Sequence, residues 1–337
     1  DAGHITKAWA MVYAPPLVGA VWYTLRKNMW VGGALTALFT SLEIGANHPQ
    51  ITYYFLLAMA LMWLSEGIYA WKEKKIKDFS KRTAILALAG VVAVGSNLSP
   101  LWQTMQHSKE TTRGGSELAA KEANSGTKGL DLEYATAWSY GKAESFNMFV
   151  PDFMGGESGF DGYSTDRDAP LNSALKEWDW FDFMGVPRSY VIPYFTDITY
   201  WGDQPYTAGP TYLGAVAVFL AILGIALASK RNRWWIVAVS VFALLLSWGS
   251  NAMWFTKLCY NYLPMYNKFR TVSMALIVLQ WSVPLLAGVA LWHLFKEENR
   301  MKIRKALLWS AGITAGVLLL FVVAGNAIFD FGEERTA

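Results

Sequence analysis

The sequence predicts an all-α polytopic membrane protein with about eight transmembrane helices and one large extracytoplasmic loop. Hydrophobic residues make up 53% of the 337 residues and charged residues only 16%, whereas soluble domains carry about 25% charged residues. Long apolar runs alternate with short basic clusters, which is typical of membrane proteins. The 17 Trp and 16 Tyr fit this class, because both rings favour the headgroup level of a bilayer.

Eight apolar stretches approach the length of about 20 residues that spans a bilayer. They lie at roughly 8–25, 29–44, 51–71, 83–104, 208–229, 233–250, 271–295 and 306–328. The chain therefore divides into transmembrane helices 1–4 (residues 1–104), an extracytoplasmic loop domain (105–207) and transmembrane helices 5–8 (208–337). Segment 253–263 is too short to span the bilayer and is followed by Pro264, which predicts an interfacial amphipathic helix there.

Basic residues predict the orientation of these helices. Every second loop is basic, and these four loops hold 16 of the 29 Lys and Arg. The positive-inside rule assigns such loops to the cytoplasm. The loop 105–207, which has 8 Lys/Arg against 16 Asp/Glu, and both ends of the chain are then extracytoplasmic.

Polar residues at the predicted outer face suggest a sugar or acceptor site. Asn47, His48 and Gln50 lie in the turn between the second and third spans, with Glu43 one turn before it and Tyr53 one turn after it. These groups could bind sugar hydroxyls, or they could form a hairpin turn that caps two helix ends. Glu43 favours a site, since an ionisable group inside a span is costly and usually functional.

Two cations lie on the outer face, against the charge bias of the other loops. Lys268 and Arg270 immediately precede the seventh span, and they predict contact with the phosphate of a lipid-linked donor. Contact with ordinary anionic headgroups is the alternative. Glu66, toward the cytoplasmic end of the third span, predicts a structural role through ion pairing or snorkelling.

Other chemistry has little support in the sequence. The four histidines show no metal-ligand spacing, and the short string Asp166-Arg167-Asp168 is common by chance in an acidic loop. We predict no metal site and no cofactor, although sugar transfer is compatible with a divalent metal. The net charge of +3, spread among the loops, argues against nucleic acid as a partner.

Several longer blocks resemble the YfhO family of bacterial membrane proteins. The matching text lies at residues 3–16, 47–54, 144–156, 200–206 and 248–270, and the resemblance covers most of the chain except 108–130 and 157–190. The resemblance implies a GT-C-like fold in the bacterial cytoplasmic (inner) membrane. It also implies transfer of a sugar from a polyprenyl-phosphate donor to a cell-envelope glycan or lipid acceptor on the outer face, among membrane lipids.

The resemblance also limits the assignment of catalytic residues. Enzymes of the GT-C superfamily place a catalytic carboxylate in a first outer loop, and no residue of this sequence matches that position. The catalytic residue is therefore unknown, and we expect the chain to be an internal piece of a longer protein. Glu144 and Asp152 are further candidates for sugar or acceptor contacts. A transporter or flippase of lipid-linked glycans and a non-catalytic scaffold of envelope assembly are the alternative functions.

Overall fold

The computed structural model describes residues 4–109, 130–156, 200–296 without 201, 206, 208 and 210, and 300–329. Regular structure within these residues is helical, apart from one isolated bridge between Gly155 and Tyr200. The α-helices, in chain order, are α1 (Ile5–Arg26), α2 (Met29–Gly45), α3 (Pro49–Lys72), α4 (Ile76–Ser96), α5 (Leu98–Lys109), α6 (Leu132–Thr136), α7 (Ala215–Leu227), α8 (Lys230–Ser247), α9 (Met253–Tyr262), α10 (Ile277–Phe295) and α11 (Arg300–Ile328). The string at 166–168 lies outside the described residues.

Four helices of the described chain are long and apolar enough to cross a membrane. They are Pro49–Lys72, Ile76–Ser96, Val272–Phe295 and Arg300–Gly325. The pair Lys230–Ser247 and Gly249–Tyr262 adds a fifth if it forms one span bent by 114°. Met29–Gly45 and Ala215–Leu227 are apolar but shorter. The chain is thus all-helical over the described residues with four or five candidate spans, and the number eight stays a prediction.

Two predicted segments differ from the helices in detail. The fourth predicted span, 83–104, is divided between α4, which begins at Ile76, and α5. The first residues of α4 include Lys and Arg, which are good helix formers although they are polar. A prediction from hydropathy therefore places the start of this helix too late. The break follows Asn97, whose side-chain amide donates to the carbonyl of Ser41 at 3.1 Å. The segment predicted as an interfacial helix is α9, which turns sharply away from α8.

The main core lies where α1, α3, α8, α9 and α10 meet, and it includes fully buried Leu17, Tyr54 and Leu246. A close approach joins α7 to α10, because Gly224 lies against the backbone of Leu286 and a Cβ there would overlap its carbonyl oxygen. Small residues of this kind let membrane helices pack closely.

Of the four candidate spans, α4 and α11 are the least buried. Only 11% of an 18-residue apolar stretch of each helix is buried, and large side chains such as Val91, Trp309 and Val322 are exposed. Contiguous apolar surface of this extent is unusual for a soluble monomer and fits contact with membrane lipids.

One buried carboxylate joins three helices at the end of the bundle where the basic loops lie. Glu66 of α3 is 2% exposed, and it forms ion pairs with Arg26 of α1 and with Arg231 of α8. Arg231 also bonds Glu73 at 3.2 Å. These contacts confirm the predicted ion pairing of Glu66. A buried carboxylate needs such partners.

We expect Glu66→Gln to lower the stability of the helical bundle by about 2–3 kcal/mol, because it leaves two partly buried arginines without their carboxylate. The measurement is the midpoint of thermal unfolding in a neutral detergent. Glu73→Gln is the matched control, since Glu73 is more exposed and its loss should change the midpoint much less. Equal midpoints for wild type and Glu66→Gln would contradict a structural role for this ion pair.

Candidate functional site at the predicted outer end of the bundle

Segments that are distant in the sequence dock together at the end opposite Glu66. The backbone N–H of Tyr140 donates to the carbonyl of Ser247 at 2.8 Å, and that of Leu130 donates to Asn267 at 2.9 Å. The described residues of 130–156 and 200–207 are called the outer segment below. Phenylalanine rings join this segment to the end of α11, and the ring of Phe146 packs on that of Phe321 with centroids 4.8 Å apart. The described parts of the predicted outer loop therefore fold onto the helix ends.

Glu144 holds this outer segment together. Its carboxylate is 1% exposed and accepts hydrogen bonds from the phenol of Tyr200, the backbone N–H groups of Gly141 and Asp203, and the side-chain amide of Gln204. Buried carboxylates are tolerated when donors surround them in this way. These hydrogen bonds fix Tyr200, Asp203 and Gln204 against residues 141–144.

Two phenols near Glu144 stay protonated. The pKa of Tyr200 is raised by burial and then by its hydrogen bond to the Glu144 carboxylate. The pKa of Tyr140 is raised by burial and then by the negative charge of Glu144. A protonated Tyr200 is required here, because only the O–H form donates to a carboxylate.

A cavity of about 310 Å³ opens beside this segment. Its polar wall includes the ammonium-bearing Lys7 of α1, together with hydroxyl and amide side chains from two distant parts of the chain. The polar lining residues are Lys7, Gln204, Thr207, Thr211, Thr271, Ser273 and Gln280. The remainder of the wall is apolar, from Met11, Met274, Leu276 and Ile277. Among the described lining residues, Lys7 is the only cation.

Two parts of the sequence-predicted site meet next to this cavity. The side-chain amide of Gln50 donates to the carbonyls of Arg270 at 2.6 Å and Thr271 at 3.3 Å. Thr271 has a φ of 58°, a left-handed conformation that costs roughly 1 kcal/mol for a residue with a Cβ. The bonds from Gln50 help to hold Thr271 in that conformation at the cavity wall.

The predicted phosphate contacts lie just outside the cavity lining. The Arg270 guanidinium is exposed and donates to the phenol of Tyr134 at 2.8 Å. Lys268 is half-buried in the preceding turn. Both residues are within three positions of Thr271 but do not line the cavity, so their contact with phosphate stays a prediction.

The turn between α2 and α3 has a capping role. The His48 ring nitrogen Nδ1 accepts from the backbone N–H of Ile51 at 3.4 Å, at the start of α3. Asn47 has a φ of 55°, which Asn tolerates better than most residues. This geometry favours the hairpin alternative for these two residues, and their contact with sugar stays a prediction.

Glu43 and Tyr53 are held within the bundle. One Glu43 oxygen accepts from the Thr52 hydroxyl at 3.0 Å, and the other has no hydrogen-bond partner among the described residues. The ring of Tyr53 packs on Phe269 with centroids 5.1 Å apart. Asp152 lies in an exposed turn in which its carbonyl accepts from Gly155 at 3.0 Å. None of these three residues lines the cavity.

Residues that the motif analysis did not single out supply the cavity walls. Thr211, Thr271, Ser273 and Gln280 belong to no local motif, and only the fold brings them together. Lys7 carries a signal that could have found it. It is a cation at the predicted outer end of the first span, so it opposes the predicted charge bias as Lys268 and Arg270 do.

Comparisons of the chain with protein-family models, with curated proteins and with solved structures find no match. The resemblance to the YfhO family therefore stays a prediction. Within the described residues, no group of three or more His, Cys, Asp or Glu side chains is placed to hold a metal ion.

We expect Tyr200→Phe to loosen the outer segment, because it removes one donor to the buried Glu144 carboxylate, a loss of roughly 1–3 kcal/mol. Hydrogen exchange at Asp203 and Gln204 should become about tenfold faster, while Tyr262→Phe, which changes an exposed ring, should leave exchange unchanged.

The effect of Tyr200→Phe on thermal stability should depend on pH. The raised pKa of Tyr200 contributes stability that is present below about pH 10, the ordinary pKa of tyrosine, and is lost as pH rises through its folded pKa. The difference in unfolding midpoint between wild type and Tyr200→Phe should therefore shrink above about pH 10. A difference that is constant or grows with pH would contradict the assigned hydrogen bond.

Proposed function

We propose that this chain forms part of a membrane glycosyltransferase. It would transfer a sugar from a polyprenyl-phosphate donor to a cell-envelope glycan or lipid on the outer face of the bacterial inner membrane. The observation that supports this most is the cavity that combines one cation, several hydroxyl and amide groups and an apolar wall. The sequence resemblance to the YfhO family supports the same function.

Each part of the cavity suits one part of such a donor. Lys7 would provide a charge-assisted contact for a phosphate, and Lys268 and Arg270 lie near the rim. Hydroxyl and amide side chains both donate and accept hydrogen bonds, as sugar hydroxyls require. Met11 and Ile277 offer apolar contact for the first part of a lipid chain. A volume near 310 Å³ is at the lower end of the range for small-molecule pockets.

The reaction needs a base as well as cations. An acceptor hydroxyl attacks the anomeric carbon, the bond from that carbon to the phosphate oxygen breaks, and the lipid phosphate leaves. A base takes the proton of the hydroxyl, and cations stabilise the charge that develops on the leaving phosphate. We propose Lys7 for the second role, beside the sequence-predicted Lys268 and Arg270.

The base is not evident at this cavity. No carboxylate is among its described lining residues. Glu144 is connected to it through Gln204, but its oxygens are already taken up by four donors. We therefore assign no general base among the described residues.

A transporter of lipid-linked glycans is the second candidate, because one observation favours it. The helix pair α8 and α9 is bent by 114° at a short break, and transporters use broken helices at their substrate sites. The same lipid-phosphate chemistry would then serve translocation instead of transfer.

We expect Lys7→Gln to weaken binding of a polyprenyl-phosphate sugar by about tenfold or more, because a charge-assisted phosphate contact contributes roughly 1.5–3 kcal/mol. Binding of radiolabelled donor to the detergent-solubilised chain is the measurement. Lys257→Gln is the matched control, since Lys257 is an exposed lysine of α9 that does not line the cavity.

Three outcomes separate the candidates. Unchanged affinity of Lys7→Gln for the donor would show that the cavity is not the phosphate site. A large loss of donor affinity in the double variant Lys268→Gln with Arg270→Gln would instead favour phosphate binding at the rim. Donor that binds and is moved across vesicle membranes, without sugar transfer, would favour the transporter.

A further inference from the structure

A second cavity, of about 470 Å³, lies at the opposite end of the helical bundle. The C-terminal ends of α1 and α3 and the N-terminal ends of α4 and α8 surround it. Apolar side chains, including Trp22, Leu25 and Phe79, form part of its wall. The sequence predicts that this end of the bundle faces the cytoplasm, where the basic loops lie.

Positive charge is in excess in this cavity. The charged lining residues are the cations Arg26, Lys27, Lys75, Arg82 and Arg231 and the carboxylates Glu66, Glu73 and Asp78. Among the described lining residues, five cations against three carboxylates leave an excess of two positive charges. Such an arrangement attracts anions.

Three of the arginines that line the cavity are held in place by hydrogen bonds. Glu66 accepts from the Nε of Arg26 at 2.8 Å and from the Nε of Arg231 at 3.1 Å. Arg82 donates from Nη1 to the carbonyls of Thr24 at 2.7 Å and Lys27 at 3.0 Å. Guanidinium groups fixed in this way lose little further entropy when they bind an anion.

Several donors remain available after these bonds are made. Nη1 of Arg26, Nη2 of Arg82 and Nζ of Lys27 make no hydrogen bond with the residues that the structure describes. These three groups come from the same end of the bundle and border the same cavity. Donors of this kind match the oxygens of a phosphate.

We propose that this cavity binds a phosphate-bearing anion, with Arg26, Lys27 and Arg82 as its contacts. The phosphate of an anionic lipid headgroup and a soluble phosphate share this chemistry, and Trp22, Leu25 and Phe79 provide apolar contact for the glycerol end of a lipid. The site is separate from the cavity that Lys7 lines, called the outer cavity below, and it does not depend on the proposed sugar transfer.

Native mass spectrometry from a neutral detergent tests the lipid source, with phosphatidylglycerol as the probe and phosphatidylcholine as the neutral comparison. Lys27→Gln should weaken phosphatidylglycerol binding about fivefold, and Lys27→Glu should weaken it more, because each cation near a membrane surface contributes roughly 1 kcal/mol. Lys77→Gln and Lys77→Glu are the matched controls, since Lys77 is exposed on α4 and does not line the cavity.

Inorganic phosphate, added to the detergent-solubilised chain without anionic lipid, tests the soluble source through the midpoint of thermal unfolding. A rise that Lys27→Glu abolishes and Lys77→Glu preserves would support a soluble anion. Equal losses in the Lys27 and Lys77 variants would show general surface attraction and overturn the site. Absence of binding by both phosphatidylglycerol and phosphate in wild type would overturn it as well. Neither readout involves the outer cavity, so failure here and failure of the proposed function are distinguishable.

Discussion

The carboxylate of Glu66 fixes α3 near one end, and the amide of Gln50 fixes it near the other. Glu66 binds arginines from α1 and α8, whereas Gln50 binds the carbonyls of the strained segment at Arg270 and Thr271. Sixteen residues of helix separate the two groups, which corresponds to roughly 24 Å at 1.5 Å per residue. Because both contacts involve α3, the cavity next to Glu66 and the cavity that Lys7 lines lie near opposite ends of this helix.

The buried carboxylates at the two ends of the bundle, Glu66 and Glu144, are stabilised by different kinds of partner. Glu66 is neutralised by two arginines, which contribute to a cavity with excess positive charge. Glu144 has neutral partners, namely backbone N–H groups, a phenol and an amide. The cavity beside these residues has a single cation, Lys7, among its described lining residues.

The sequence predicts the helices well because apolar length is a local property. Seven of the eight predicted spans each overlap one α-helix, whereas the span 83–104 is divided between α4 and α5. The start of α4 at Ile76 was missed, because hydropathy reports the membrane environment and not the helical state. The outer cavity could not be predicted, since Lys7 and Thr271 are far apart in the chain and form no motif. The bond from Gln50 to Arg270 joined two predicted parts of the site through a contact that only the fold creates.

The central claim is that the two cavities open on opposite sides of a membrane. The single cysteine, Cys259, is buried, so a Cys259→Ala background accepts single cysteines at Lys257, near the outer end, and at Lys77, near the inner end. A membrane-impermeant thiol reagent applied to intact cells should label Lys257→Cys and spare Lys77→Cys, and permeabilised cells should label both. Labelling of both positions from outside intact cells would contradict the account.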